Sequence, residues 1–286
     1  MDVGIGLPNA LEGVRGRALV DWAMAADAHG FSVLGSIGRI VYDNHEELTA
    51  FAAAAAVTER IGLMSTVMVA PARQDALLAK QAATLDHLAE GRFRLGMGVG
   101  GRPDDYAVMG RAFDDRGALF DGQLDALRSS WRGEVLDGAD LPVGPRPFTD
   151  GGPPIVLGGG SPPALRRVGE RADAYLAPPA PPHAVAGMYA EVRTTAEAAG
   201  RPAPRLLGAR YFALGDVDDE VRHNVGSYYG FGGPDLVEQA VNGVLRTPEA
   251  ITEALQSYAD VGVEELCLWP MAADLSQLHA LADAVL

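Results

Sequence analysis

Residues 77–101 read LLAKQAATLDHLAEGRFRLGMGVGG, and this stretch decides the fold. Leu77, Leu78, Ala82, Leu85, Leu88 and Ala89 recur at intervals of three and four, the spacing that lays one apolar stripe along a helix. Gly91 stops that helix. Phe93 to Val99 then reads as a short buried strand running into Gly98, Gly100 and Gly101, where backbone approaches a ligand without side chains in the way. A helix, a tight turn, a buried strand and a glycine-rich exit form one unit of a parallel α/β fold, which binds its ligand where the strand ends.

The same unit recurs in both directions. Upstream, strands are expected at Val3 to Leu7, Phe31 to Ile37 and Ile61 to Val69, with a helix from Gly16 to His29 and another reaching about Glu59. Asn44 followed by Glu47 resembles a capping box for the second helix. Downstream, a helix spans Arg116 to Trp131, and a proline- and glycine-rich stretch leads to a strand at Ile155 to Leu157. Further strands are expected at Ala174 to Leu176, Leu206 to Leu214 and Glu265 to Trp269. Helices are expected at Ala184 to Ala199, at Pro248 to Ala259 with Thr247 as cap, and from Leu275. Asp216 to Arg246 is read as an irregular insertion. Eight strand–helix units imply a (β/α)8 barrel, with residues 1–286 as one domain.

Composition narrows the chemistry. Hydrophobic residues make up 48% of the 286-residue chain, enough for a large core, and no apolar run suits a bilayer span. MDVGIGLPN reads as a first strand rather than a signal peptide, and a cytoplasmic location is expected. Cys267 is the only cysteine, which excludes an internal disulfide, a redox pair and a cysteine-rich metal site. Lys80 is the only lysine and lies in a helix, a poor place for imine chemistry. The six histidines form no His-x-His or His-Glu-x-x-His pattern, so no metal site is expected, and no Gly-x-Ser-x-Gly elbow is present. A formal net charge of -15 disfavours nucleic acid and anionic membrane as partners.

Three segments carry a family resemblance: LAKQAATLDHLAEGRFRLGMGVG (78–100), PIVLGGGSPPALRRVGERADAYL (154–176) and TPEAITEALQSYADVGVEELCLWP (247–270). In this order they resemble the luciferase-like family of flavin-dependent monooxygenases and oxidoreductases. The resemblance implies a barrel that binds reduced FMN, or in a related branch a deazaflavin coenzyme, at the C-terminal ends of its strands. It further implies oxidation of a small, apolar organic substrate with dioxygen, with reduced flavin delivered by a separate reductase. A homodimer is a further expectation. Two other readings stand beside the monooxygenase: a deazaflavin-dependent hydride-transfer enzyme and a flavin-binding barrel without catalysis.

Site residues follow from the strand ends. A flavin phosphate needs converging backbone N–H donors, which Gly158, Gly159, Gly160 and Ser161 supply ahead of a helix; the same turn also serves as a plain strand-to-helix connection. Arg166 and Arg167 follow on that helix, either near the phosphate or on a solvated face. By resemblance, a bulged and sometimes cis peptide at Val67-Met68 backs the ring system, and Gly98 and Gly100 let it lie over the next strand. The strand-two exit, where relatives carry an acid and a histidine or arginine, here holds Gly38-Arg39, so Arg39 is the one weak catalytic candidate. Val99 stands where FMN-binding relatives have an arginine, and Arg102 follows nearby. Trp269, Met271, Tyr106, Tyr228, Tyr229 and Phe231 are candidates for an apolar pocket lining.

Overall fold

The computed structural model describes residues 1–286. Parallel strands β1 (Asp2–Gly6), β2 (Val33–Ser36), β3 (Gly62–Ser65), β4 (Met68–Val69), β5 (Phe93–Gly98), β6 (Ile155–Gly158), β7 (Ala174–Leu176), β8 (Arg205–Phe212) and β9 (Glu265–Pro270) close into a barrel. β3 and β4 are two pieces of one barrel strand, both pairing with β5, so the barrel has eight staves. β9 returns to β1 and completes the ring.

Eleven helices surround or cap it: α1 (Gly16–His29), α2 (Glu47–Ala55), α3 (Asp75–Leu88), α4 (Pro103–Val108), α5 (Arg116–Trp131), α6 (Pro162–Arg171), α7 (Pro182–Ala198), α8 (Asp218–Tyr229), α9 (Pro234–Asn242), α10 (Pro248–Asp260) and α11 (Leu275–Val285). Alternating strand positions feed two cores. One lies between strands and helices and includes Leu34, Leu63, Phe93 and Trp22; the other fills the barrel with Val33, Met64, Val156, Leu207 and Trp269. The barrel also holds a buried ion pair, Arg94 to Glu265 at 2.6 Å, with Ser32 donating to the other carboxylate oxygen.

Several expectations change. In α3 the buried stripe is Leu78, Ala79, Ala82, Ala83 and Leu85, while Leu77 and Leu88 are exposed. Asp86 on that helix is buried because it accepts from the N–H and hydroxyl of Thr149, pinning the loop that crosses it. Helix α2 begins at Glu47, not at Asn44, because the Glu46 carboxylate rather than the Asn44 side chain accepts from the N–H of Thr49. Thr247 caps α10 as expected, accepting from the N–H of Ala250. The stretch 216–246 is not irregular, since α8 and α9 occupy most of it. Three acidic residues favour the start of α8 and Pro234 opens α9.

The largest change is in the third stave. Ile61 to Val69 is not one strand: pairing stops at Ser65 and resumes at Met68 opposite Met97. The cis peptide lies at Thr66-Val67, one bond before Val67-Met68. Where the ladder is broken, the Ser65 hydroxyl takes over, accepting from the N–H of Gly96 at 2.9 Å and donating to its carbonyl at 2.8 Å. The break depends on Gly96, where a Cβ would collide with the carbonyl oxygen of Ser65. Gly96→Ala is therefore expected to lower stability by about 3 kcal/mol, the upper part of the usual overpacking range. Urea unfolding checks this; a midpoint equal to wild type would mean that the break does not rest on the missing side chain.

Candidate functional site

The break carries Val67 to the C-terminal mouth of the barrel, where it forms the floor of a cavity of about 290 Å³. Its isopropyl group is seated on glycines: a Cβ at Gly98 would lie 2.9 Å from it and one at Gly158 3.2 Å. Val69 is seated in the same way beside Gly100, whose φ of +66° also favours glycine. The result is a low apolar shelf bounded by backbone. Thr66 anchors the shelf from below, donating its hydroxyl to the Ser36 carbonyl at 2.6 Å and accepting from the Trp269 indole N–H at 3.1 Å.

On one side of the shelf, β6 turns into α6. Gly159, at φ +125°, takes a conformation open essentially to glycine alone, and the Tyr175 hydroxyl fixes the turn by donating to its carbonyl at 2.9 Å. Pro162 and Pro163 remove two of the N–H groups that a helix start normally presents. The N–H groups of Gly159, Gly160, Ser161 and Ala164 nevertheless have no partner within the chain. Four donors and the positive end of the α6 dipole therefore remain for an anion.

Above the shelf, Tyr228, Tyr229 and Phe231 form the roof. α8 is tied down across the mouth: Asn224 donates to the Met271 carbonyl at 3.0 Å, and the Glu220 carboxylate accepts from the N–H of Ala273 at 3.2 Å. Tyr211 and Tyr229 share a hydrogen bond of 2.6 Å between their hydroxyls. Burial holds Tyr211 and Tyr228 above the ordinary tyrosine range and pushes Tyr229 up to about 12. At neutral pH these rings are uncharged.

Of the residues expected at a site, Val67, Gly100, Gly158 and Gly159 line the cavity, as do Tyr228, Tyr229, Phe231 and Trp269. Met68 does not, because the break shifts the in–out alternation and turns it into the core behind the barrel. Gly98 lies under Val67, and Gly160 and Ser161 sit at the rim rather than in the lining. Arg39 lies beside the cavity in an aromatic stack. Arg167 is neither phosphate ligand nor solvated, being bound by Asp121 at 2.7 and 3.1 Å. Tyr106 is buried behind the β5 exit, donating to the Val99 carbonyl, and Met271 packs away from the main cavity. His45 and His87 are structural, their ring nitrogens 2.7 Å from the carbonyls of Val14 and Arg146. Thr66, Asp105, Pro178 and Tyr211 are lining residues absent from the expected set; Thr66, Pro178 and Tyr211 lie at or just beyond a strand end, the general signal that could have found them, whereas Asp105 sits in the first turn of α4.

Residues 1–269 match the family model described as luciferase-like monooxygenase. An uncharacterized protein of Mycobacterium tuberculosis is 34% identical over 160 residues, covering 54% of this chain and 54% of that one, so the match spans about half the length of this relative. Among solved structures, monooxygenase RslO1 from Streptomyces bottropensis superposes with a TM-score of 0.79 at 19% identity, over 100% of this chain and 98% of its own. An F420-dependent secondary alcohol dehydrogenase gives 0.81 at 15% identity over 99% and 98%. The FMN-bound oxygenating constituent of 3,6-diketocamphane monooxygenase from Pseudomonas putida gives 0.73 at 21% identity over 94% and 91%. These structural likenesses establish the shared fold.

The roof has a pH signature. Tyrosines of the unfolded chain ionise near pH 10, whereas folded Tyr229 keeps its proton to about 12. Between these values the unfolded state holds fewer protons than the folded one, so stability falls as pH rises. Urea midpoints should drop from pH 10 to 12, and less steeply in Tyr229→Phe. Identical slopes in the two proteins would show that Tyr229 titrates as an exposed tyrosine.

Proposed function

The chain belongs to the luciferase-like monooxygenase family, and we propose that it is a flavin-dependent oxidoreductase acting as one domain, using reduced FMN and dioxygen on a small, largely apolar substrate. One observation carries this reading: a flat shelf of Val67 over Gly98 and Gly158 lies beside a turn with four unpartnered N–H groups. A planar ring with an apolar face and a phosphate tail fits that pair of features. The cavity volume of about 290 Å³ stands just below the roughly 300–1,000 Å³ usual for ligand pockets. A bound flavin supplies the electrons for oxidation, delivered in reduced form by a separate reductase.

In this reading the protein's residues orient and exclude. Val67 and Val69 support the ring face, and the N–H groups of Gly159, Gly160, Ser161 and Ala164 hold the phosphate. Tyr228, Tyr229 and Phe231 close the mouth against water, which would otherwise divert a reactive flavin. Asp105 is the one carboxylate in the lining, and its Oδ1 is fixed by the N–H groups of Ile40 and Val41 at 2.9 and 2.7 Å. Exclusion and positioning are the roles that the remaining lining residues supply.

Incorporation of isotope-labelled oxygen from dioxygen into product, by the purified protein with reduced FMN and a panel of hydrophobic carbonyl compounds, tests the reaction class, and mass and absorbance of a copurified cofactor separate FMN from a deazaflavin. Recovery of a deazaflavin, with no labelled product formed on reduced FMN, would replace the monooxygenase with hydride transfer. The phosphate site has its own check. Gly160 is better suited than Gly159 because its φ is ordinary and its added Cβ meets the flexible Met188 sulfur at 3.2 Å and, in ordinary contact, Pro178 Cγ at 3.6 Å. Gly160→Asp should weaken FMN binding roughly ten-fold or more through charge repulsion, while riboflavin, which lacks the phosphate, binds as before. Equal loss for both ligands would move the phosphate elsewhere.

A further inference from the structure

The guanidinium groups of Arg39 and Arg102 are the basic groups at the mouth, and neither is fully satisfied. Arg39 projects from the β2 exit with its side chain only 8% exposed. Its nearest carboxylate oxygen, on Asp104, is 3.7 Å away, beyond hydrogen-bond length, and its Nε is buried without a partner. Arg102, at the start of α4, donates through Nη2 to the Tyr228 carbonyl at 2.7 Å; its Nε is also buried and unpartnered, and no carboxylate forms an ion pair with it. Aromatic rings fix both groups in place. The Arg39 guanidinium carbon lies 4.9 Å from the Tyr42 ring centre and 5.9 Å from that of Tyr228; that of Arg102 lies 4.7 Å from Tyr228 and 4.0 Å from Phe231.

Asp104 and Asp105 flank the stack and offset part of its charge, but neither carboxylate lies within hydrogen-bond distance of a guanidinium group. Oδ1 of Asp105 is occupied by two backbone N–H groups, and Oδ1 of Asp104 accepts from the N–H of Asp105. Burial, and after it the positive charge of Arg102, pushes the Arg39 guanidinium below its usual value, the direction that a bound negative charge would reverse. Two rigid planar donors stacked on aromatic rings are suited to a carboxylate or phosphate oxyanion. Arg39 comes from the β2 exit, three staves round the barrel from the β6–α6 turn, whereas Arg102 follows β5, the stave next to β6, so Arg39 is the member of the pair that is remote from that turn.

From this arrangement we infer that Arg39 and Arg102 form a receptor for an oxyanion on the substrate, a carboxylate or phosphate ester carried by an otherwise apolar molecule. The inference rests on the flavin reading to the extent that it places the cofactor phosphate at the β6–α6 turn. It names a substrate class: amphiphilic anions, with the apolar part on the shelf and the charged end against the arginines. Arg39 sets this specificity by donating to the oxyanion while Arg102 stays fixed to the Tyr228 backbone.

Calorimetric titration of wild type, Arg39→Met and Arg39→Lys with benzoate, benzyl alcohol, FMN and riboflavin tests this, with circular dichroism and melting temperature confirming the fold of each variant. Benzoate should bind wild type in preference to benzyl alcohol, lose roughly ten-fold or more in Arg39→Met and recover partly in Arg39→Lys, while FMN affinity is unchanged. A loss in Arg39→Met confined to FMN, sparing riboflavin and benzoate, would assign the oxyanion to the cofactor and overturn the substrate receptor. Equal binding of benzoate and benzyl alcohol by wild type, or unchanged benzoate binding in folded Arg39→Met, would overturn it outright. Failure of wild type to bind any flavin would sink the flavin reading, whereas Arg39-dependent benzoate binding in the same protein would still support the receptor.

Discussion

The mouth of this barrel depends on the absence of a side chain at Gly96. The Ser65 carbonyl occupies the space that a Cβ there would need, and the Ser65 hydroxyl closes on both backbone polar groups of the same glycine. A broken ladder normally leaves backbone groups unpaired at a cost of about 1–3 kcal/mol each. Here one hydroxyl satisfies a donor and an acceptor together. The chain is then free to shift its alternation, so Thr66 and Val67 both face the cavity while Met68 turns outward.

The roof is held by a different kind of contact. α8 buries only a few apolar residues, among them Val221 and Val225, and leaves the aromatic end of the segment over the cavity. Besides the packing of the Tyr228 and Tyr229 rings, that end is joined to its surroundings through polar atoms: the Tyr211–Tyr229 hydroxyl pair, the Tyr42 hydroxyl donating to Ser227, and Arg102 reaching the Tyr228 carbonyl. Each such bond contributes on the order of 1 kcal/mol net, because water replaces it when it opens. The barrel strands, buried on both faces, have no such exchange available. Opening is therefore least costly at the roof, where a ligand must enter.

Much of the fold was legible because its signals are local. Arg116–Trp131 and Ala174–Leu176 have the expected bounds, and Thr247 caps its helix beside a first-turn proline. The break in the third stave was not legible, since Ile61 to Val69 has ordinary strand chemistry and its interruption comes from a contact with Gly96, distant in sequence. Met68 was misplaced for the same reason. In the stretch 216–246, glycines at 226, 230, 232 and 233 obscured two helices whose acidic start and opening proline were visible. Gly100, Gly158 and Gly159 could be placed at the cavity because strand exits in a parallel barrel face it whatever the sequence between them, whereas Val67 was singled out through the family resemblance. Arg39 was noticed only as a departure; its stacking partner Tyr228 lies far along the chain, and no spacing rule joins the two.

Charge explains why these features belong together. A chain of net charge -15 repels anions as a whole, so an anionic ligand is admitted only where the local field is reversed. The mouth reverses it twice, with amide donors and a helix dipole at the β6–α6 turn and with two guanidinium groups at the β2 exit and the start of α4. Between them lie valines, glycine backbone and uncharged tyrosines. Screening over about 8 Å at physiological ionic strength keeps the acidic exterior from cancelling either end. The apolar lining of the middle also strengthens both fields relative to open water. In the proposed reading, a molecule that fills this mouth presents negative charge at its ends and an apolar surface between, either as one ligand or as a cofactor and substrate laid end to end.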